Sequence, residues 1–263
     1  MASLIYTYDG SLEGLLCCVF ESYVQKESPE DILPEGTPSF LPSRSIDTER
    51  SHAVRVWRAL KALGDAAEWV RVGWLSCVPD RAIILYHFIC AAFQKGASVC
   101  QRTSEPHVTP VFNAVRTARN EAHQYIQFLR FSDYQGILAA EIAPKAMVLP
   151  LMQNHFVQRF PREAFLIHDI SHKQALFYQN GHSAIREIDS LQLDAADGIE
   201  REYRKLWRCY YDTAAVEGRE NSRCRMTHMP KRYWNHMTEF QTETDGTDCT
   251  GKPFERLPPV ENT

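Results

Sequence analysis

Between Gln127 and Tyr178 apolar runs and breakers alternate in an order that few architectures satisfy. Phe128–Phe131 is a short apolar run, Ser132–Gly136 a polar segment ending in glycine, and Ile137–Ile142 a second apolar run. Two such runs around a Gly-ended turn predict a β-hairpin. Pro144 then opens a helix in which Met147, Val148, Leu151, Met152, His155, Phe156 and Phe160 recur at helical spacing, and Pro161 stops it. Phe165–Asp169 and Gln174–Tyr178 follow as two more strands, with Ser171, His172 and Lys173 between them. Strand, strand, helix, strand, strand predicts an α+β fold, a mostly antiparallel sheet covered by helices.

The chemistry in this block is arginine and histidine beside aromatic rings. Arg130 lies between Leu129 and Phe131 and, in a strand, would face away from both. His155 and Arg159 are four apart and share one side of their helix. Asp169 ends a strand, within reach of either. At least two of Arg130, His155, Arg159 and Asp169 are therefore expected to hydrogen-bond to each other, since arginine pairs strongly with carboxylates. Two readings stay open: an ion-pair network tying helix to sheet, or an anion- or nucleic-acid-contacting surface.

The N-terminal half reads as helical. Leu4–Tyr8 is a short strand, Asp9-Gly10 a turn, and Ser11 an N-cap with Glu13 in the first turn of a helix carrying Leu12, Leu15, Leu16, Val19, Phe20 and Tyr23. Residues 28–45 are proline-rich and lack periodicity, which predicts a loop or linker. Val54, Trp57, Leu60 and Leu63 form the stripe of a next helix, ended by Gly64. Asp65 and Glu68 have capping-box spacing ahead of Trp69, Val70 and Leu75. Asp80 is placed to cap a helix that is apolar nearly all round, from Ile83 to Phe93, and so is expected to be buried. A further helix carries Val111, Val115, Ala118, Ala122 and Ile126 on one side, with Arg116, Arg119 and His123 on or near the other. Beyond Tyr178, His182–Ile188 is a candidate last strand. Asp197 and Glu200 have capping-box spacing before a long helix with Ile199, Tyr203, Leu206, Trp207, Tyr210 and Ala214 as its core face. The expected organisation is one α+β domain over residues 1–241, helical to about residue 96 and sheet-centred from about residue 111, with 242–263 as a disordered tail.

Composition narrows the function classes. A net charge of −4 excludes a uniformly basic nucleic-acid binder but not a local basic patch. The eight cysteines include no Cys-x-x-Cys pair, which suits reduced buried thiols in a cytoplasmic protein. No iron–sulfur cluster motif is present, so neither a metal nor another cofactor is expected in the chain itself. The N-terminus lacks a basic region followed by an apolar run, and the apolar run Ala82–Phe93 is too short to span a bilayer, so no membrane partner is expected. Arg219, Arg223, Arg225, Lys231 and Arg232 stand against the single acid Glu220 and lead into Tyr233 and Trp234. Clustered cations beside flat aromatics suit phosphate contact and base stacking. The plainer alternative is a solvated basic face with the two aromatics plugged into the core.

Several segments together carry a resemblance. They are Tyr8–Gly14, then Glu121-Ala122-His123 leading to Phe128–Phe131, then His155-Phe156 with Arg159-Phe160, then Asp169 and Leu206-Trp207. Arg219-Glu220-Asn221 and Met229–Trp234 with Glu239 complete the set. In this order they resemble a bacterial family described as DNA metabolism or DNA repair proteins, to which no reaction is assigned. The resemblance covers nearly the whole chain to Phe240. It implies a radical-SAM partner, itself described as a DNA modification or repair enzyme, and an occasional fusion of the domain behind a uracil-DNA-glycosylase-like domain. The leading expectation is an accessory DNA repair protein that docks the radical-SAM enzyme or presents DNA to it, with Arg130, Arg159, Arg219, Arg223, Arg225, Lys231, Arg232 and Trp234 as candidate DNA contacts. The alternatives are an enzyme acting on a nucleotide or DNA bond, with His155 or His123 as base and Asp169 or Glu239 as orienting carboxylate, or a protein–protein adaptor without DNA contact.

Overall fold

The computed structural model describes residues 4–189, 191, 204, 206 and 230–237. The chain folds as two compact units. Residues 1–121 with Lys145–Val148 make the first, and Ala122–Pro144 with residues 149–263 the second. Both mix helices and strands, which is the α+β class the sequence indicates.

In the first unit β1 (Ile5–Tyr8) runs parallel to β2 (Asp31–Pro34) on one side and to β3 (Ser43–Ser45) on the other. Parallel neighbours need a crossover, and α1 (Leu12–Gln25) supplies the one from β1 to β2. The expectation of an unstructured 28–45 linker is therefore corrected: both flanking strands come from it. Its prolines survive because Pro34 lies at the end of an edge strand and Pro42 offers only its carbonyl, which accepts the Ile5 N–H at 3.0 Å. Ile32 and Ile46 anchor the segment in the core.

The α1 start follows the sequence. The Ser11 hydroxyl accepts the Gly14 N–H at 2.9 Å, while Asp9 Oδ1 accepts both the N–H and the hydroxyl of Ser11, at 2.8 and 2.7 Å. Thr48 donates to Asp9 Oδ2 at 2.8 Å. A Cβ on Gly14 would sit 2.3 Å from Asp9 Oδ1 and 2.8 Å from Thr48 Oγ1. Gly14→Ala is thus expected to destabilise by about 1–3 kcal/mol despite alanine's better helix propensity, because the pinned carboxylate has to move. Denaturant unfolding checks this; an unchanged or raised midpoint would mean that the Asp9 cap is soft.

Helices α2 (Arg50–Lys61), α3 (Ala66–Trp74) and α4 (Arg81–Lys95) follow, and α5 (Thr109–Phe128) runs from the first unit into the second. The buried face of α2 is Ala53, Val56 and Leu60, with Val54 exposed, so it is rotated from the expected stripe. Neither Asp65 nor Asp80 makes a side-chain cap. Glu68 instead takes Arg71 in a two-pronged pair at 2.8 Å, with Arg119 at 3.5 Å. An arginine fork outcompetes the weaker reach back to a backbone N–H. The stretch Arg81–Gln101 is long and apolar enough to cross a membrane. Its Leu85, Phe88, Ile89 and Ala92 are packed into the first unit, as in the core helix of a globular protein.

The second unit is a five-stranded sheet in the order β4 (Ser132–Tyr134), β5 (Ile137–Ile142), β6 (Ala164–Asp169), β7 (Gln174–Gln179) and β8 (His182–Glu187). Three of its pairings are antiparallel and one, β5 with β6, is parallel across the helix α6 (Leu149–Arg159). The predicted hairpin forms, but its first strand starts at Ser132. Phe128 is still helical, Leu129 N–H reaches Tyr125 O, and Arg130 lies in the connection rather than in a strand. The helix after Pro144 begins later than expected, at Leu149. Lys145–Val148 belongs to the first unit, where Met147 N–H bonds to Leu75 O. Phe131, Phe156, Phe160 and Phe165 cluster between α6 and the sheet, with ring centroids 5.3–6.5 Å apart. On the opposite sheet face Ala139, Leu166 and Ala175 make a smaller core under Tyr134, Ile188 and Leu191.

Candidate functional site

The end of α5 positions the last described segment, 230–237. Pro230 leads into a 3-10 turn whose Tyr233 and Trp234 are buried, at 1% and 8% exposure. Tyr233 sits edge-on to Tyr125 at 4.8 Å and tilted to Phe128 at 6.2 Å, and its hydroxyl donates to Gln124. Both aromatics are therefore core residues of the second unit, and Trp234 has no open face for a base to stack on. Lys231 and Arg232 are exposed beside them, and the Arg232 guanidinium covers the Tyr233 ring at 4.7 Å. The segment reads as plug and rim, the aromatics inward and the cations outward.

Arg130 belongs to the same neighbourhood of α5, donating to Gln127 O and Leu129 O at 3.4 and 3.3 Å. Next to it, Phe131 meets Phe160 at 5.3 Å, and Phe160 in turn lies under the exposed Arg159 at 5.6 Å. Arg130 thus adjoins the end of α5 on which Tyr233 packs, and Arg159 stands over Phe160 at the end of α6. His123 is exposed on α5 and bonds to Gln127 at 2.9 Å. Arg219, Arg223, Arg225 and Glu239 lie outside the described residues, as do most of the predicted long helix and the tail from 242. Within that helix Leu206 is 64% exposed, which corrects its assignment to a core face.

The expected cluster of Arg130, His155, Arg159 and Asp169 does not form: among the described residues no hydrogen bond joins any two of these four. His155 packs edge-on against Phe156. Asp169, 1% exposed at the end of β6, bonds instead to His172. Its Oδ1 accepts the His172 backbone N–H at 3.1 Å and its Oδ2 meets Nδ1 at 2.7 Å. Burial pushes the Asp169 carboxyl above its usual range, and the His172 contacts pull it partly back. A turn three residues long closes at far lower entropic cost than a contact across the sheet, so the local partner wins. The pairing orients the half-buried His172 ring through its Nδ1.

Sequence reading passes over the His-x-x-x-His spacing of His168 and His172. On a helix that spacing would bring both rings to one face, but here a strand end and a turn separate them. His168 points to the smaller core, Nδ1 3.3 Å from Glu141 Oε1 and Nε2 buried without a hydrogen-bond partner among the described residues. Among the same residues no group of three or more His, Cys, Asp or Glu could hold a metal ion.

Comparison with known proteins adds a family and little else. No curated protein matches the chain. A solved structure, the pGpG-specific phosphodiesterase PggH from Vibrio cholerae, aligns over 67% of this chain and 81% of its own, at 12% identity and a TM-score of 0.28. A likeness that low carries no argument about fold or activity. Residues 79–239, more than half of the chain, match the model of a domain of unknown function, DUF4130, and the chain belongs to that family.

Proposed function

We propose that the protein is a DNA-associated accessory protein of DNA metabolism or repair, whose second unit grips a phosphate backbone at its basic, aromatic-backed end. The observation that carries this reading is the pair Lys231 and Arg232, exposed beside the buried Tyr233 and Trp234 and near Arg130. Cations held on a rigid aromatic support suit phosphate positioning rather than base reading, so the contact would be sequence-independent. Arg219, Arg223 and Arg225, outside the described residues, are the further candidate contacts. The radical-SAM partner implied by the resemblance would then supply chemistry for which this chain has no cluster motif, and co-purification with that enzyme is the direct check of the partnership.

Binding of labelled single- and double-stranded DNA across salt concentrations tests the grip. Affinity is expected to fall steeply with salt, and Lys231→Ala combined with Arg159→Ala to flatten the slope by roughly two units while weakening all sequences alike. Absence of binding at low salt for both strand types would end this reading and leave a protein–protein adaptor.

One observation favours a second reading, an enzyme acting on a nucleotide or DNA bond. The Asp169–His172 pair has the form of a carboxylate-oriented general base, which moves that role from His155 and His123 to His172. Hydrolysis of a DNA or nucleotide substrate that His172→Gln abolishes in a folded protein would select it.

A further inference from the structure

The first unit holds a cleft of about 330 Å³ between the end of α1, the turn after it, α4 and the segment before α5. Glu27 is its acid, and that acid is already neutralised. Its Oε2 accepts the Tyr6 hydroxyl and its Oε1 the Arg44 guanidinium, both at 2.8 Å. On the opposite side Lys95 and Arg102 share the single carboxylate of Glu105, which leaves one positive charge in excess. Two imidazoles, His87 and His107, line the cleft and lie against each other, with centroids 5.1 Å apart and planes tilted by 33°.

The remaining titratable groups there add no negative charge at neutral pH. Burial pushes the Cys90 thiol up, and it pushes the hydroxyls of Tyr86 and Tyr23 up to about 12. Burial and the neighbouring His107 hold His87 below the usual imidazole range. An anion that meets the edges of both rings from the cleft would favour their protonated forms. Tyr23, half exposed at the side of the cleft, offers a ring for an apolar or sugar portion to rest on.

We infer that this cleft binds the phosphoryl group of a small phosphate ester, with His87, His107 and Lys95 as its cationic contacts and Tyr23 against the organic part. Binding then takes up protons onto the imidazoles, so affinity rises as pH falls through the histidine range. The site is independent of the basic end of the second unit and stands or falls without it.

The test is a titration of the full-length protein with inorganic sulfate, inorganic phosphate and glycerol 3-phosphate, read from the imidazole proton resonances. Sulfate keeps its charge across this range, so its pH dependence reports the protein alone. Saturable shifts of both rings are expected, with sulfate affinity about 10-fold higher near pH 6 than near pH 8. Glycerol 3-phosphate should bind more tightly than inorganic phosphate; equal affinity overturns the ester assignment. His107 is exposed, so His107→Ala leaves the fold intact and should lose about 10-fold or more in affinity, and His87→Asn should lose as much. Lys231→Ala with Arg159→Ala should bind unchanged. No saturable shift near pH 6, or affinity unaltered in both histidine variants, overturns the site.

Discussion

Truncation of Tyr233 to alanine is expected to lower the unfolding free energy by about 3–5 kcal/mol, the usual cost of emptying a buried aromatic site. The ring is almost completely enclosed, meets Tyr125 and Phe128, and carries a hydroxyl bonded to Gln124. All three contacts lie on the last turns of α5, so the loss would also free the segment that carries Lys231 and Arg232. Urea unfolding monitored by tyrosine and tryptophan fluorescence gives the number. A loss below about 1 kcal/mol, with weakened DNA binding, would mean that the ring serves a ligand rather than the core. The Lys231→Ala variant is the control, since an exposed cation contributes little to stability.

Glu121→Ala should cost about 2–4 kcal/mol, because removing the carboxylate strands one buried donor, the Ala146 N–H, at about 1–3 kcal/mol, and one part-buried donor, the Lys145 N–H, at less. Glu121 is 4% exposed, and its two oxygens accept the backbone N–H groups of Lys145 and Ala146 at 3.1 and 2.9 Å. Glu121→Gln keeps the shape but turns one oxygen into a donor facing a donor, so it should fall between wild type and the alanine variant. Hydrogen exchange at Lys145 and Ala146 separates this cause from general loosening: both amides should lose protection first in Glu121→Ala. Unchanged protection there would refute the assignment of Glu121 as the anchor of this turn.

The sequence was informative where local chemistry and the global fold agree. Ser11 caps α1 as its spacing suggests, Gly136 ends the hairpin turn, and α4 buries Leu85, Phe88, Ile89 and Ala92 while Ile83, Ile84 and Phe93 stay partly exposed. It misled where two local solutions compete. Phe128–Phe131 reads as a short apolar strand, yet Phe128 completes the helical face begun by Tyr125 and packs against Tyr233. The parallel sheet of the first unit was illegible because β2 and β3 are only four and three residues long and lie among prolines, and only Ile32 and Ile46 mark them as anchored. For the site, the split of Lys231–Trp234 into exposed cations and buried aromatics follows from residue type. The partner of Asp169 did not, because sequence distance along α6 and β6 says nothing about which histidine a three-residue turn will present.

Lys145–Val148 is four residues of the first unit inserted between two segments of the second. The backbone therefore passes from one unit to the other three times, after Glu121, after Pro144 and after Val148. No single cut yields two complete pieces, and neither unit can be shuffled between genes as a contiguous cassette. A ribosome finishing the first unit has already committed the opening hairpin of the second, so the two mature as a braided pair rather than in succession.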